Sequence, residues 1–277
     1  MTTKTIRLEN VSKRFSSRNG ETLALSPINL EIEAGSFVAV VGPSGCGKST
    51  LMRLIAGLVM PTSGTIHFDD ELVRSPRPDT GIVFQRANLA PWRDVLGNVA
   101  LQIQLRKLDW SAYREKAVTL LRSVGLGDFL KSLPHELSGG MQQRASIARA
   151  LVHAPQVLLM DEPFGALDAL TREQVRIDLE NLWMQDRMSV LFITHSIDEA
   201  VLLADRVVVM SPRPGAVDTI LDIDLPRPRG LAARRSPEFV RFTERITDMF
   251  MSRGVLDDRH AKAGNETGHR TDEPSMV

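Results

Sequence analysis

37-FVAVVGPSGCGKSTLMRLIAGL-58 passes through three textures without a break. The five residues 37–41 are apolar and mostly valine. They do not alternate with polar residues, so they read as a strand buried on both faces. A glycine-rich turn follows, and then apolar residues at helical spacing over 49–58, stopping before Pro61. A strand that feeds a helix through so tight a turn opens an α/β unit. The turn itself, 42-GPSGCGKST-50, fits the pattern G-x-x-x-x-G-K-[ST] and sits where its mechanism needs it, between strand and helix. Gly42, Gly45 and Gly47 free the backbone to turn its N–H groups inward, and the helix start adds the positive end of its dipole. Lys48 is expected to supply a point charge for β- and γ-phosphates, and the Ser49 hydroxyl a ligand for Mg²⁺. Pro43, Ser44, Cys46 and Thr50 complete the loop residues expected against ATP. The plainer reading, a glycine turn with a solvated lysine, does not account for that context. Cys46 is the only cysteine, which excludes an intrachain disulfide framework and fits a reducing compartment. It reads as a small filler, since the motif supplies no base for a nucleophile. Its place near a helix N-terminus is expected to lower its pKa and favour alkylation.

Upstream, 5-TIRLENVSKRF-15 and 28-INLEIEAGSFVAVV-41 alternate as half-buried strands do, the second around a turn at Ala34-Gly35. Downstream the texture turns helical over 95–108, 111–126 and 139–153, with Asp109 and Ser111 as cap candidates for the middle segment. This predicts a helical insertion at about 87–154. Strands return at 156–161, 189–194 and 206–210, with a helix at 171–185 between the first two. A last helix is expected over 237–250, with Ser236 as cap and Pro237 in its first turn. Residues 254–277 are polar and aperiodic, and disorder is expected there.

The whole chain has 277 residues, with 34 Lys and Arg against 34 Asp and Glu. At about 150 residues per domain this allows one or two domains. The balanced charge argues against a dedicated nucleic-acid binder. No apolar run approaches the ~20 residues of a membrane helix, and the opening MTTKTIRLEN has no apolar core of a secretory signal. A cytoplasmic chain is the expectation.

An apolar strand ending in two carboxylates, 157-VLLMDEP-163, is the natural partner of a phosphate loop. Asp161 would hold the Mg²⁺ shell and Glu162 would face an attacking water. At 138-SGG-140 a hydroxyl, backbone N–H groups and a helix start converge on one anion site. With these pieces the resemblance becomes specific: 137-LSGGMQQR-144 resembles the signature of ATP-binding cassette (ABC) proteins. Gln85 in 82-IVFQ-85 is similar to that family's Q-loop glutamine, 165-GALD-168 to its D-loop, and His195 in 193-ITHSIDEA-200 to its switch histidine.

The resemblance covers residues 5 to about 215. It implies an α/β P-loop NTPase cassette with a mixed sheet core, an N-terminal antiparallel β region and a helical insertion. The cassette would span 1–225, followed by a linker and helix at 226–253. Two copies would pair head to tail, so that Ser138, Gly139 and Gly140 serve the ATP of the opposite cassette, and the D-loop's Asp168 would also bind nucleotide. Gln85 would bridge Mg²⁺ and the insertion, and His195 would contact the γ-phosphate and orient the water. Phe15 is the candidate to stack on adenine, with a core role as the alternative. Met141 stands where the family's signature usually has glutamine. It falls just inside the helix, so retained hydrolysis is expected.

In importers of this family the region after the Q-loop forms a groove for a helix of the membrane subunit. Trp92 and Leu96 in 88-NLAPWRDVLGNVAL-101 would wall it, with Arg93 at its rim, unless they close the insertion's own core. Three strings, 163-PFGALDALTRE-173, 211-SPRPG-215 and 225-LPRPRG-230, resemble the ATPases of nitrate, alkanesulfonate and taurine uptake. The resemblance therefore implies an ATPase at the cytoplasmic face of the membrane, energising separate membrane-spanning permease subunits. These would be fed by an extracytoplasmic solute-binding protein. A translation- or DNA-repair-associated cassette is the alternative. Arg227, Arg229, Arg234 and Arg235 would form a solvated linker or approach lipid and permease loops.

Overall fold

The computed structural model describes residues 3–17 and 20–255; the expected disorder from residue 256 onward lies outside the described residues. Two sheets organise the chain. The first is antiparallel, with spatial order β2-β1-β4-β5, built from β1 (Ile6–Ser17), β2 (Gly20–Ile32), β4 (Ser63–Phe68) and the two-residue β5 (Glu71–Leu72). The second has six strands in the order β10-β9-β3-β8-β7-β6. These are β3 (Phe37–Val41), β6 (Thr80–Val83), β7 (Val157–Asp161), β8 (Ser189–Ile193), β9 (Arg206–Met210) and β10 (Val217–Asp222). Five of the six run parallel and β10 pairs antiparallel at the edge, so the sheet is mixed.

The absence of alternation in 37–41 has its cause here. Val38 and Val40 pack into a core shared with the antiparallel sheet and α1 (Lys48–Ile55). Phe37, Ala39 and Val41 pack into a second core on the opposite face. That second core is closed by α2 (Val95–Leu105), α3 (Trp110–Ser123), α4 (Gly139–Leu151), α5 (Ala169–Asp186), α6 (Ile197–Leu203) and α7 (Pro237–Ser252). Of the caps read from sequence, Asp109 accepts from Ser111 N at the start of α3, which puts Ser111 inside the helix and not at its cap, and Ser236 accepts from Phe239 N at the start of α7.

Several elements were missing from the sequence reading. β2 begins at Gly20 and pairs along its length with β1, and β4, β6 and β10 are short strands of four to six residues. Helix α1 ends at Ile55, three residues before the predicted end.

The arginine-rich stretch after Leu225 corrects the sequence expectation most sharply. Arg229 is 1 % exposed, and its guanidinium donates to the carbonyls of Val201, Ala204, Ile223 and Leu225 at 2.6–3.1 Å. Arg227 pairs with Asp205 at 2.7 Å and Glu180 at 3.1 Å and lies over the Trp183 ring. Arg234 reaches Glu173 at 2.8 Å, and only Arg235 is left exposed without an ion pair among the described residues. Arg227 and Arg229 are therefore neither a solvated linker nor free to approach lipid. They weld the C-terminal segment to α5 and α6. Burial beside Arg227 pushes the Arg229 guanidinium down to about 10, still cationic at neutral pH.

Candidate active site

The parallel strands β3, β8, β7 and β6 lie side by side and end at one edge of the sheet, so the chain leaves all four at the same place. From β3 it enters the phosphate loop. Gly47, the N-cap of α1, has φ 103, and a Cβ there would come within 2.5 Å of Leu25 Cδ2, so glycine is required twice over. No side chain caps α1, which leaves its first N–H groups for an anion. Lys48 is buried and donates from Nζ to the carbonyls of Gly42 (2.7 Å) and Pro43 (3.1 Å), holding its charge across its own loop.

A cavity of about 250 Å³ opens over the loop, lined by Ser44, Gly45, Gly47, Lys48, Ser49 and Thr50 together with Phe15, Ala24, Glu162 and Arg213. Phe15 is 43 % exposed at this cavity, which sets aside its core reading. Gly42, Pro43 and Cys46 do not line it. Cys46 is buried, and that burial pushes its thiol up despite the neighbouring Lys48 charge, so the expected lowering by the helix does not occur.

β7 delivers the two acids. Ser49 Oγ donates to Asp161 Oδ1 at 2.9 Å. Burial, with the Glu162 charge alongside, raises the Asp161 carboxyl above the usual range against the pull of that hydrogen bond. A hydroxyl and a desolvated carboxylate next to an anion-binding loop are a hard-cation donor set. Among the described residues no group of three or more His, Cys, Asp or Glu could hold a metal alone, so a cation here would take its other oxygens from phosphate and water.

Glu162 has φ 44, a left-handed conformation unusual for a side chain larger than glycine. Its N–H donates to Ile193 O at 2.9 Å, across to β8. From β6, Gln85 Nε2 donates to Glu162 Oε2 at 3.1 Å; from β8, His195 Nδ1 lies 3.5 Å from the same oxygen. Three strand ends thus converge on one carboxylate.

Two supports of this arrangement escaped the sequence reading. Thr194 Oγ1 donates to the buried Glu199 Oε2 at 2.5 Å and accepts from Ser196 N at 3.0 Å, fixing the backbone on both sides of His195. Burial raises the Glu199 carboxyl. Gln143, buried in α4, donates to Phe84 O at 3.1 Å and steadies the residue before Gln85. Both side chains lie inside quoted motifs, but burial of a polar group leaves no mark in the sequence.

Ser138 caps α4, accepting from Met141 N at 3.3 Å. Asp168 caps α5, accepting from Thr171 N at 3.0 Å, and hydrogen bonding to Thr171, side chain first and then backbone, holds its carboxyl below the usual range. The two helix starts adjoin, since a Cβ at Gly140 would meet Thr171 Cγ2 at 2.5 Å. None of Ser138, Gly139, Gly140 and Asp168 lines the phosphate-loop cavity. Met141 packs against the core behind these groups. In the insertion, Trp92 is 78 % exposed, whereas Leu96 is half-buried against the core and Arg93 bonds to Gln104 Oε1 at 2.7 Å.

Comparison with known proteins bears on this geometry. The family profile described as ABC transporter matches residues 25–165. The nitrate import ATP-binding protein NrtD of Synechocystis sp. is 44% identical over 254 residues, 90% of this chain and 96% of that one. The aliphatic sulfonates import ATP-binding protein SsuB of Bacillus cereus (strain ZK / E33L) is 41% identical over 252 residues, 91% and 98% of the two chains. A solved structure described as a dimeric post-hydrolysis state of the ATP-binding cassette MJ0796, bound to ADP and Pi, superposes with a TM-score of 0.71. It is 32% identical and covers 80% of this chain and 100% of its own.

Proposed function

As this chain belongs to the ABC transporter family and is an ATPase, we propose that it energises import of a small anionic solute through separate permease subunits. The observation that supports the chemistry is the Glu162 carboxylate, which lines the phosphate-loop cavity and meets Gln85 and His195 through one oxygen. In this reading Glu162 takes the proton of the attacking water, and His195 contacts the γ-phosphate and orients that water. Lys48 exchanges its loop carbonyls for the β- and γ-phosphates, and the N–H groups of the lining residues Ser44, Gly45, Gly47, Lys48, Ser49 and Thr50 surround them. Ser49, Asp161 and Gln85 hold Mg²⁺, which when bound offsets the charge that builds on the phosphate oxygens. Phe15 stacks on adenine.

Ser138, Gly139 and Gly140 form an anion-binding helix start that, with the neighbouring Asp168, lies outside their own chain's cavity. That separation supports a head-to-tail homodimer, in which each chain closes the other's nucleotide. ATP draws the cassettes together and hydrolysis lets them part. The cassette spans 1–225 with its helical insertion at about 87–154, and the exposed Trp92 marks where a permease helix docks. Among the described residues no helix is long and apolar enough to cross a membrane. In this reading the chain sits peripherally on the membrane's cytoplasmic face, against its permease subunits. The relatives named for nitrate and for aliphatic sulfonates support an anionic cargo, its choice lying with the permease and an extracytoplasmic solute-binding protein.

Two experiments test the reading. Glu162→Gln is expected to bind ATP, accumulate as a dimer by light scattering and lose turnover by at least ~100-fold; turnover near wild type removes Glu162 from the mechanism. Tagged protein drawn from gently solubilised membranes is expected to bring a multi-span permease. Ribosomal or DNA-bound partners without a permease would leave the ATPase and overturn transport.

A further inference from the structure

Arg213 lines the same cavity as the phosphate loop, from an element that none of the nucleotide motifs includes. It lies in the turn between β9 and β10, 211-SPRPG-215. Two residues on, Gly215 fastens this turn to the nucleotide-binding elements. Gly215 N donates to Ala24 O at 3.0 Å, and Ser26 N donates to Gly215 O at 2.9 Å. Gly215 also packs so closely on the phosphate loop that a Cβ would run into the Cys46 carbonyl oxygen. The turn therefore cannot drift relative to the loop. Its anchor on β2 is two residues from Thr22, which pairs with Phe15 across the β1–β2 ladder. Arg213 and Phe15 both line the cavity.

The side chain is exposed and, among the described residues, makes no hydrogen bond or ion pair. A guanidinium in that position faces a cavity also lined by Lys48 and by the uncapped start of α1, with Glu162 as the one carboxylate among the lining residues. Such a set is completed by an anion, and a planar fork of donors suits phosphate oxygens. We propose that Arg213 is a nucleotide-binding residue, closing the adenosine end of the cavity with charge-assisted hydrogen bonds to the α-phosphate and ribose of ATP. The inference rests on the nucleotide site proposed above and adds a contact outside its motifs. Because ATP and ADP share the α-phosphate and ribose, the contact binds both equally, and its loss falls on KM rather than kcat.

Fluorescent N-methylanthraniloyl ATP and ADP, titrated into wild type, Arg213→Ala, Arg213→Lys and Lys48→Ala, test this. Arg213→Ala is expected to weaken both nucleotides by about tenfold, with Arg213→Lys in between. KM for ATP should rise by the same factor, and thermal unfolding of the nucleotide-free protein should be unmoved. If Arg213→Ala binds both nucleotides as wild type does while Lys48→Ala fails, the site stands and the role of Arg213 falls. A loss confined to ATP overturns the α-phosphate placement. Failure of wild type to bind either nucleotide overturns the site and this inference together.

Discussion

Replacing Arg229 with methionine keeps most of the side-chain volume and removes every donor. In the native chain the three guanidinium nitrogens supply five hydrogen bonds to four main-chain carbonyls. Two of those carbonyls, Val201 and Ala204, belong to the end of α6, where helical carbonyls have no partner within the helix. Glu180 keeps Arg227 and Arg176 as partners, so the substitution strands no carboxylate. The loss is that of dry carbonyls. Hydrogen bonds to a charged group contribute about 1.5–3 kcal/mol each, but removing a buried charge also removes its desolvation cost, which leaves a net loss of about 3 kcal/mol. In a chain of this size that lowers Tm by about 6–12 °C. Calorimetry of the nucleotide-free protein measures it directly. Arg229→Lys retains the charge with three donors and should lose about half as much. A fall of less than about 2 °C for Arg229→Met would refute the claim that this arginine fastens the C-terminal segment.

Cys46 in the native protein should react slowly with a disulfide reagent at pH 8 and rapidly in denaturant, because burial favours its thiol form; fast native labelling would contradict the burial. Phe15→Ala is expected to weaken ATP binding by about fivefold to tenfold while Phe15→Trp retains it, the size of one lost stacking contact. Equal affinity in both variants would send Phe15 back to a packing role. Thr194→Val removes the bond to Glu199 at nearly constant volume, and should lower kcat more than it raises KM by loosening His195. Unchanged steady-state kinetics would remove this support from the account. Trp92→Ala should leave ATPase activity and Tm of the isolated cassette unchanged, since little of the ring is buried, and should abolish co-purification of a permease.

The elements that carry chemistry were the legible ones. A strand buried on both faces has no period, and 37–41 and 157–161 announced themselves by that alone. Caps such as Ser236 and Asp109 were readable because a side-chain oxygen before a helix has one common use. Edge strands were not: β6 is β-branched at Thr80, Ile82 and Val83, but four residues are too few to show a period. The arginines after Leu225 were misread for a related reason. Local composition resembles a solvated linker, and nothing nearby in sequence reveals that Glu180, Asp205 and the end of α6 wait in space to receive them. Within the site, the residues with distinctive spacing could be named, whereas Arg213 could not. Its proximity to the loop comes from a strand pairing across more than half the chain.

The bond from Gln143 to Phe84 O joins the helix opened by Ser138 to the strand end bearing Gln85. In the proposed dimer those two ends face different nucleotides: Gln85 its own chain's ATP, Ser138 the partner's. In that dimer this one amide would link a group serving each of the two ATP sites. Each cassette would register the occupancy of its neighbour's site as tension on the strand that holds its own glutamine, without any signal having to cross the interface twice.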